Sequence, residues 1–213
     1  MFSNIKLLIL FLVISSASFA QQPETKKESE AIEDQGHKIG NILVGAYFPI
    51  AFGDNFVNQG IDLSGGAKIV LKVNTYKTFF VGPYFSFFNG SVTDQALLGN
   101  YENTANFVIG GVAGYDFYIS KFDISIGAGV GYSVYRNRGL GDSFNDTGTA
   151  VWLSPEISYR FNPYLGVFAA PEFRHDFMDI DVPEALEDTF QGVNYFNISF
   201  GLRINLGTGY KNQ

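Results

Sequence analysis

Glu156, Arg160, Glu172 and Arg174 are set into an otherwise apolar stretch, SPEISYRFNPYLGVFAAPEFRHDF, residues 154–177. Two carboxylates held near one another are the machinery of glycoside hydrolysis, one acting as acid and the other as base or nucleophile. Two guanidiniums beside them offer another outcome, a salt-bridged network, because a charge kept from water must be paired. His175 and Asp176 come next in the chain. A His–Asp pair with a serine in hydrogen-bond reach would be a hydrolase constellation. No serine lies near His175, and the other histidine, His37, is far upstream. Asp176, Asp179, Asp181, Glu184, Glu187 and Asp188 crowd together with no base after His175. Such oxygen-rich loops can hold Ca²⁺ or Mg²⁺, but the spacing matches no EF-hand and reads as a solvated acidic loop.

What these side chains can do depends on the elements that carry them. From Ile39 onward the chain alternates apolar and polar residues in eight runs, about 39–52, 62–74, 78–90, 104–119, 122–137, 148–161, 165–177 and 194–206. Period-2 alternation is the mark of a strand with two unlike faces. Each run is roughly ten residues or longer, against an ordinary strand of ~5–6. About ten tilted residues are what a β-strand needs to cross a bilayer.

The connections alternate too. Short turns, TYK, SK (Ser120–Lys121) and NPY (Asn162–Tyr164), join strands 2–3, 4–5 and 6–7. The other connections are long, with GDNFVNQGI, SVTDQALLGNYEN, RGLGDSFNDT and DIDVPEALEDTFQGV at their cores. Short turns on one side and long loops on the other are the pattern of a membrane barrel with both termini on the short-turn side.

In strand 8, Phe196, Ile198, Phe200, Leu202, Ile204 and Leu206 oppose Tyr195, Asn197, Ser199, Gly201, Arg203 and Asn205. Alternation alone does not separate lumen from exterior. Strand length, segregated loops and an export signal together put the apolar set outside, facing lipid. The polar faces then carry Lys68, Lys72, Asp116, Asp123, Glu156, Arg160, Glu172, Arg174 and Arg203 inward, five basic and four acidic groups. Pairing strands 6 and 7 about Pro163 sets Trp152 opposite Arg174 and makes Glu156 a diagonal neighbour of Glu172. A two-residue turn at Ser120–Lys121 pairs Ile119 with Phe122 and Tyr118 with Asp123, which keeps both faces consistent across the hairpin. An eight-stranded barrel is just filled by its own side chains, so interleaved acids and bases read as a plug. A gated ion path along the same groups stays open. The parity of His175 directs it outward, as an interfacial histidine.

The first twenty residues carry one charge, Lys6, followed by LLILFLVIS and the small-residue cleavage site SASFA. This is the pattern of a secretory signal peptide. Residues 21–38 are polar, charged and without strand pattern, a flexible periplasmic leader. The 14 Lys and Arg less Lys6 leave 13 against 21 acidic residues, a net of −8 that disfavours nucleic acid. Absence of cysteine excludes a disulfide scaffold. Aromatic residues at 16% with 24 glycines suit aromatic belts and tight inner packing.

In these features the chain resembles the small eight-stranded outer-membrane barrels of Gram-negative bacteria, the group that includes OmpX, the OmpA transmembrane domain and PorT-like proteins. The resemblance spans residues 39–206. Its most specific local feature is the last strand, where the family's assembly signal, polar-x-Gly-x-x-apolar-x-apolar, reads Ser199, Gly201, Ile204 and Leu206. Ile204 and Leu206 stand where aromatics are typical, and GTGYKNQ (207–213) extends past the usual end. The resemblance implies insertion by the barrel-assembly machinery and contact with outer-membrane lipid and lipopolysaccharide.

The expected fold is all-β, an eight-stranded antiparallel up-and-down transmembrane β-barrel. The expected role is non-enzymatic, structural or in surface interaction with an extracellular ligand, around a salt-bridged closed lumen and without a cofactor. An accessory barrel in protein export, a narrow channel and a lipid A- or phospholipid-modifying enzyme are the alternatives.

Overall fold

The computed structural model describes residues 37–139 and 143–210. The segment read as a signal peptide, the leader up to residue 36 and the last three residues of the tail lie outside them. Eight strands form: β1 Lys38–Phe52, β2 Ile61–Tyr76, β3 Phe79–Val92, β4 Asn103–Ile119, β5 Phe122–Arg138, β6 Ser143–Arg160, β7 Leu165–Asp179 and β8 Gly192–Gly207. Each pairs antiparallel with its sequence neighbours, and β1 closes on β8 to complete a barrel. Closure leaves no sheet edge unpaired.

The tight turns follow from local chemistry. Lys77 and Ser120 open the β2–β3 and β4–β5 turns at φ of 51° and 54°. Two-residue hairpins need positive φ there, to match strand twist. Across the second turn Ile119 pairs with Phe122 and Tyr118 with Asp123, as parity requires. At the β6–β7 turn, Asn162 Oδ1 accepts from the amides of Tyr164 and Leu165, both at 2.9 Å.

Alternation becomes two surfaces. The outer wall is a continuous apolar belt, with Ile109, Val130, Phe173, Phe200 and Leu202 among its exposed side chains. Inside are the polar faces together with Leu43, Val70, Phe80, Tyr84, Trp152 and Phe168, all buried. Trp152 of β6 pairs with Gly129 of β5 and its indole lies over it. A Cβ on Gly129 would stand 2.2 Å from the ring, so only glycine lets the indole into the lumen.

β6 starts at Ser143 rather than near 148, and β8 at Gly192 rather than 194. The ladder continues above the apolar belt, where side-chain alternation has already stopped. β5 and β6 remain paired up to Arg138–Ser143.

The long connections are not plain loops. They contain α1 Phe56–Gly60, α2 Gln95–Leu98, a 3₁₀ turn Glu184–Leu186 and α3 Glu187–Phe190. Asn55 caps α1 by accepting from the Asn58 amide at 3.0 Å, and Asp94 caps α2 through the amides of Ala96 and Leu97. Their apolar residues turn down over the barrel mouth. Phe56 stacks on Phe190 at 5.0 Å and meets Tyr135 edge-on at 5.9 Å, with Val57, Leu98, Tyr101 and Val193 buried around them.

The opposite mouth is closed by the tail. Tyr210 folds back under the strands, its hydroxyl donating to the Gly40 carbonyl at 3.2 Å and its ring edge-on to Tyr118 at 6.1 Å. Lys38 Nζ sits 3.3 Å above the Tyr118 ring.

Candidate functional site

The interior charges lie in three clusters along the barrel, separated by apolar side chains. Nearest the short turns, Lys72 contacts Glu156 at 2.7 Å and Asp116 at 3.5 Å. Arg203 bridges Glu156 and Asp123, each at 3.2 Å, and Arg160 reaches the same Asp123 at 3.2 Å. Arg160 also donates to the Ser120 carbonyl of the β4–β5 turn. Ser125 donates to Asp116 at 2.6 Å and receives from Lys72 at 2.9 Å. Ser158 donates to Glu156 at 2.8 Å. Three cations and three carboxylates are thus knitted together.

The middle cluster is built on Glu172. Lys68 lies 2.8 Å from its Oε2, Tyr47 donates at 2.7 Å, Asn197 at 3.0 Å and Tyr84 at 3.1 Å. Lys68, Glu172 and their tyrosine partners are buried. Between this cluster and the first lies a cavity of about 20 Å³, edged by Leu43, Phe80 and Trp152 and by the two lysines. It has room for about one water molecule.

The third cluster lies under the helical lid. Arg174 pairs with Asp176, with Nε to Oδ1 at 2.6 Å, and donates to Asn106 Oδ1 at 2.8 Å. Asp176 also accepts from Ser133 at 2.8 Å and Tyr135 at 2.7 Å, while Tyr135 and Tyr195 share a hydrogen bond of 2.7 Å. The Arg174 guanidinium stacks over Tyr195 and Phe88, at 5.0 and 5.8 Å.

Two features differ from the sequence reading. Asp176 is not part of a solvated acidic loop. It is fully buried and ion-paired, because the inward parity of β7 continues to that position. It brings the lumen to five acids against five bases. Asp179, Asp181, Glu184, Glu187 and Asp188 are exposed. The second feature concerns Glu156 and Glu172. They belong to separate clusters, each saturated by its own cation and hydroxyl donors. A pair of carboxylates already filled with donors is arranged to neutralise charge, not to share a proton with a substrate.

His175 faces outward on β7. Its Nδ1 is 2.7 Å from Asn194 Oδ1 and its ring meets Phe177 at 4.3 Å. Asp176, its sequence neighbour, is on the other side of the wall. Among the described residues no three His, Asp or Glu side chains converge as metal ligands would.

The assembly-signal positions lie along β8. Ser199 is buried and donates to the Ala170 carbonyl at 3.1 Å. Gly201 pairs with Gly45 of β1 and Phe168 of β7. Ile204 faces outward, and Leu206 pairs with Gly40 where the barrel closes.

No protein-family model matches the chain, and no curated protein matches it in sequence. Solved structures do match in fold. Neisserial surface protein A superposes with a TM-score of 0.54 at 13% identity, over 80% of this chain and 99% of that one. The outer membrane protein OprG from Pseudomonas aeruginosa gives 0.51 at 16% identity, over 81% of this chain and 98% of that one. In fold, the chain is one of the small eight-stranded β-barrels of the outer-membrane type.

Proposed function

We propose that the chain is an integral outer-membrane barrel with a closed lumen, serving a structural or surface-interaction role in the envelope and no catalytic one. The inverted distribution of polarity carries this reading. Large apolar side chains such as Ile109 and Phe200 are 65% and 53% exposed, while ten charged side chains of the strands are sealed inside. An apolar exterior encircling the whole molecule is far beyond the few hundred Å² that soluble monomers expose. In lipid the same surface is at its most stable, and closure of β1 on β8 leaves no open sheet edge toward it.

The short turns and the tail would face the periplasm, with the helical lid outside the cell. Ser199, Gly201, Ile204 and Leu206 would serve as the signal read by the barrel-assembly machinery as β8 closes on β1.

Gel mobility of detergent-folded protein tests the placement. An unheated sample should migrate apart from a boiled one, and membrane fractionation should recover the protein with outer membrane. A water-soluble product whose mobility ignores boiling would end the proposal.

A further inference from the structure

Five arginines occur in the chain, and three of them, Arg160, Arg174 and Arg203, are sealed in the lumen. The other two, Arg136 and Arg138, stand two residues apart on the outer face of β5, near the long-loop end, and both are exposed. Every other Lys or Arg among the described residues is either in the lumen or at the short-turn end, where Lys38, Lys77 and Lys121 lie. For an acidic chain of net charge −7, this is a marked concentration of cation at one place on the outer wall.

That place is a groove. An open depression of about 420 Å³ crosses β2–β5, and both arginines line it. Register shows how it is made. Asn89, Ala105 and Arg136 form one row across three strands, and Ser91, Asn103 and Arg138 form the next row outward. The small side chain of Ala105 leaves the floor low between Asn89 and Arg136. One row in the other direction come Phe87, Phe107 and Val134, with the two phenyl rings stacked at 6.2 Å. Polarity therefore changes within one step of the ladder, from an aromatic wall to guanidiniums, amides and hydroxyls. Neither arginine has an ion-pair partner among the described residues. Asp62 stands at the far end of the outer row, beyond Ser91 and Asn103.

We propose that this groove binds the phosphorylated sugar headgroup of an outer-leaflet glycolipid of the lipid A type, its phosphate between Arg136 and Arg138. The proposal rests on the outer-membrane placement above. Guanidiniums match phosphate oxygens in geometry and charge. Asn89, Ser91 and Asn103 are suited to sugar hydroxyls. Phe87 and Phe107 offer an apolar wall to the acyl chains directly beneath. Basic pockets at a membrane interface select anionic headgroups in this way.

The test uses the protein folded in detergent micelles, with diphosphoryl lipid A added and the complex read by native mass spectrometry. The parent should hold one lipid A, and R136Q/R138Q should bind it at least about tenfold more weakly, given the usual contribution of two interfacial cations. Lipid A stripped of its phosphates should bind the parent as weakly. A105F, which fills the floor and keeps both charges, should also lose the lipid. K77Q/K121Q, at the opposite end, should bind as the parent does. Equal binding by R136Q/R138Q, or by dephosphorylated lipid A, would overturn the proposal, as would loss of the lipid in K77Q/K121Q. All variants are first checked for heat-modifiable mobility, so a failure of the barrel reading is seen separately from a failure of the lipid site.

Discussion

Glu172 sits at zero exposure in the middle of a barrel, yet every neighbour within reach is a donor: Lys68, Tyr47, Tyr84 and Asn197. A charge in such a place is tolerated because its partner and its hydrogen bonds arrive together, and removing one partner strands the other. Lys68→Met should therefore lower unfolding stability by about 3–5 kcal/mol, with Glu172→Gln costing a similar amount by leaving the ammonium unpaired. The double variant K68M/E172Q should regain most of the loss. A neutral carboxamide oxygen still accepts from Tyr47 and Asn197, and no unpaired charge remains. Urea midpoints of the folded gel band in detergent measure all three. A single-variant cost under about 1 kcal/mol would mean that the pair behaves like a wet surface ion pair, and the sealed-lumen account would fail.

Both mouths of the barrel are closed by short elements seated through a buried tyrosine. At the long-loop mouth Tyr101 lies buried between α2 and β4, edge-on to Phe144 at 5.3 Å. At the short-turn mouth Tyr210 anchors the tail against Gly40 and Tyr118. Burial pushes both phenols above the ordinary tyrosine range. Asp146 adds to the rise at Tyr101, and the Arg203 guanidinium works against it at Tyr210. A folded value above the unfolded one of about 10 means that each phenol supports its closure fully below that pH. The support is lost as pH rises through the raised value. Proteolysis of the long loops and of the tail should therefore begin to accelerate above pH about 10. Tyr101→Phe should remove that acceleration at the long loops only, and Tyr210→Phe at the tail only. Acceleration unchanged by either substitution would place its origin elsewhere. Neither closure was legible in the sequence. Phe56, Leu98 and Phe190 follow no period, and they meet only because the barrel brings three connections to one rim.

The molecule as a whole shows why some of this could be read beforehand and some could not. Period-2 alternation carries the face of every residue, so eight strands and the Ser120–Lys121 register were legible locally. The partners of the two lumen lysines were not, because they lie across the lumen. Lys68 meets Glu172 at a separation of 104 residues, and Lys72 meets Glu156 at 84. Asp176 was obscured by the acidic run that follows it, though its even position carried the signal. The three clusters and the apolar layers between them have one further consequence. A path along the barrel must cross the tail, three ion-paired clusters and the aromatic lid in series. Opening any single barrier leaves the next closed, since each cluster is neutral within itself and buried charge is costly to expose piecemeal. The protein in planar bilayers should therefore pass no stepwise current. Removing the innermost barrier alone, as in Tyr210→Ala, should leave it silent too. A variant that also loses Arg203 and Glu156 reaches only the small cavity beside Trp152, and it should stay silent while Lys68, Glu172 and the lid remain. Stepwise conductance in Tyr210→Ala would show that the clusters rearrange as one unit, making the lumen a gated path instead of a stack of independent seals.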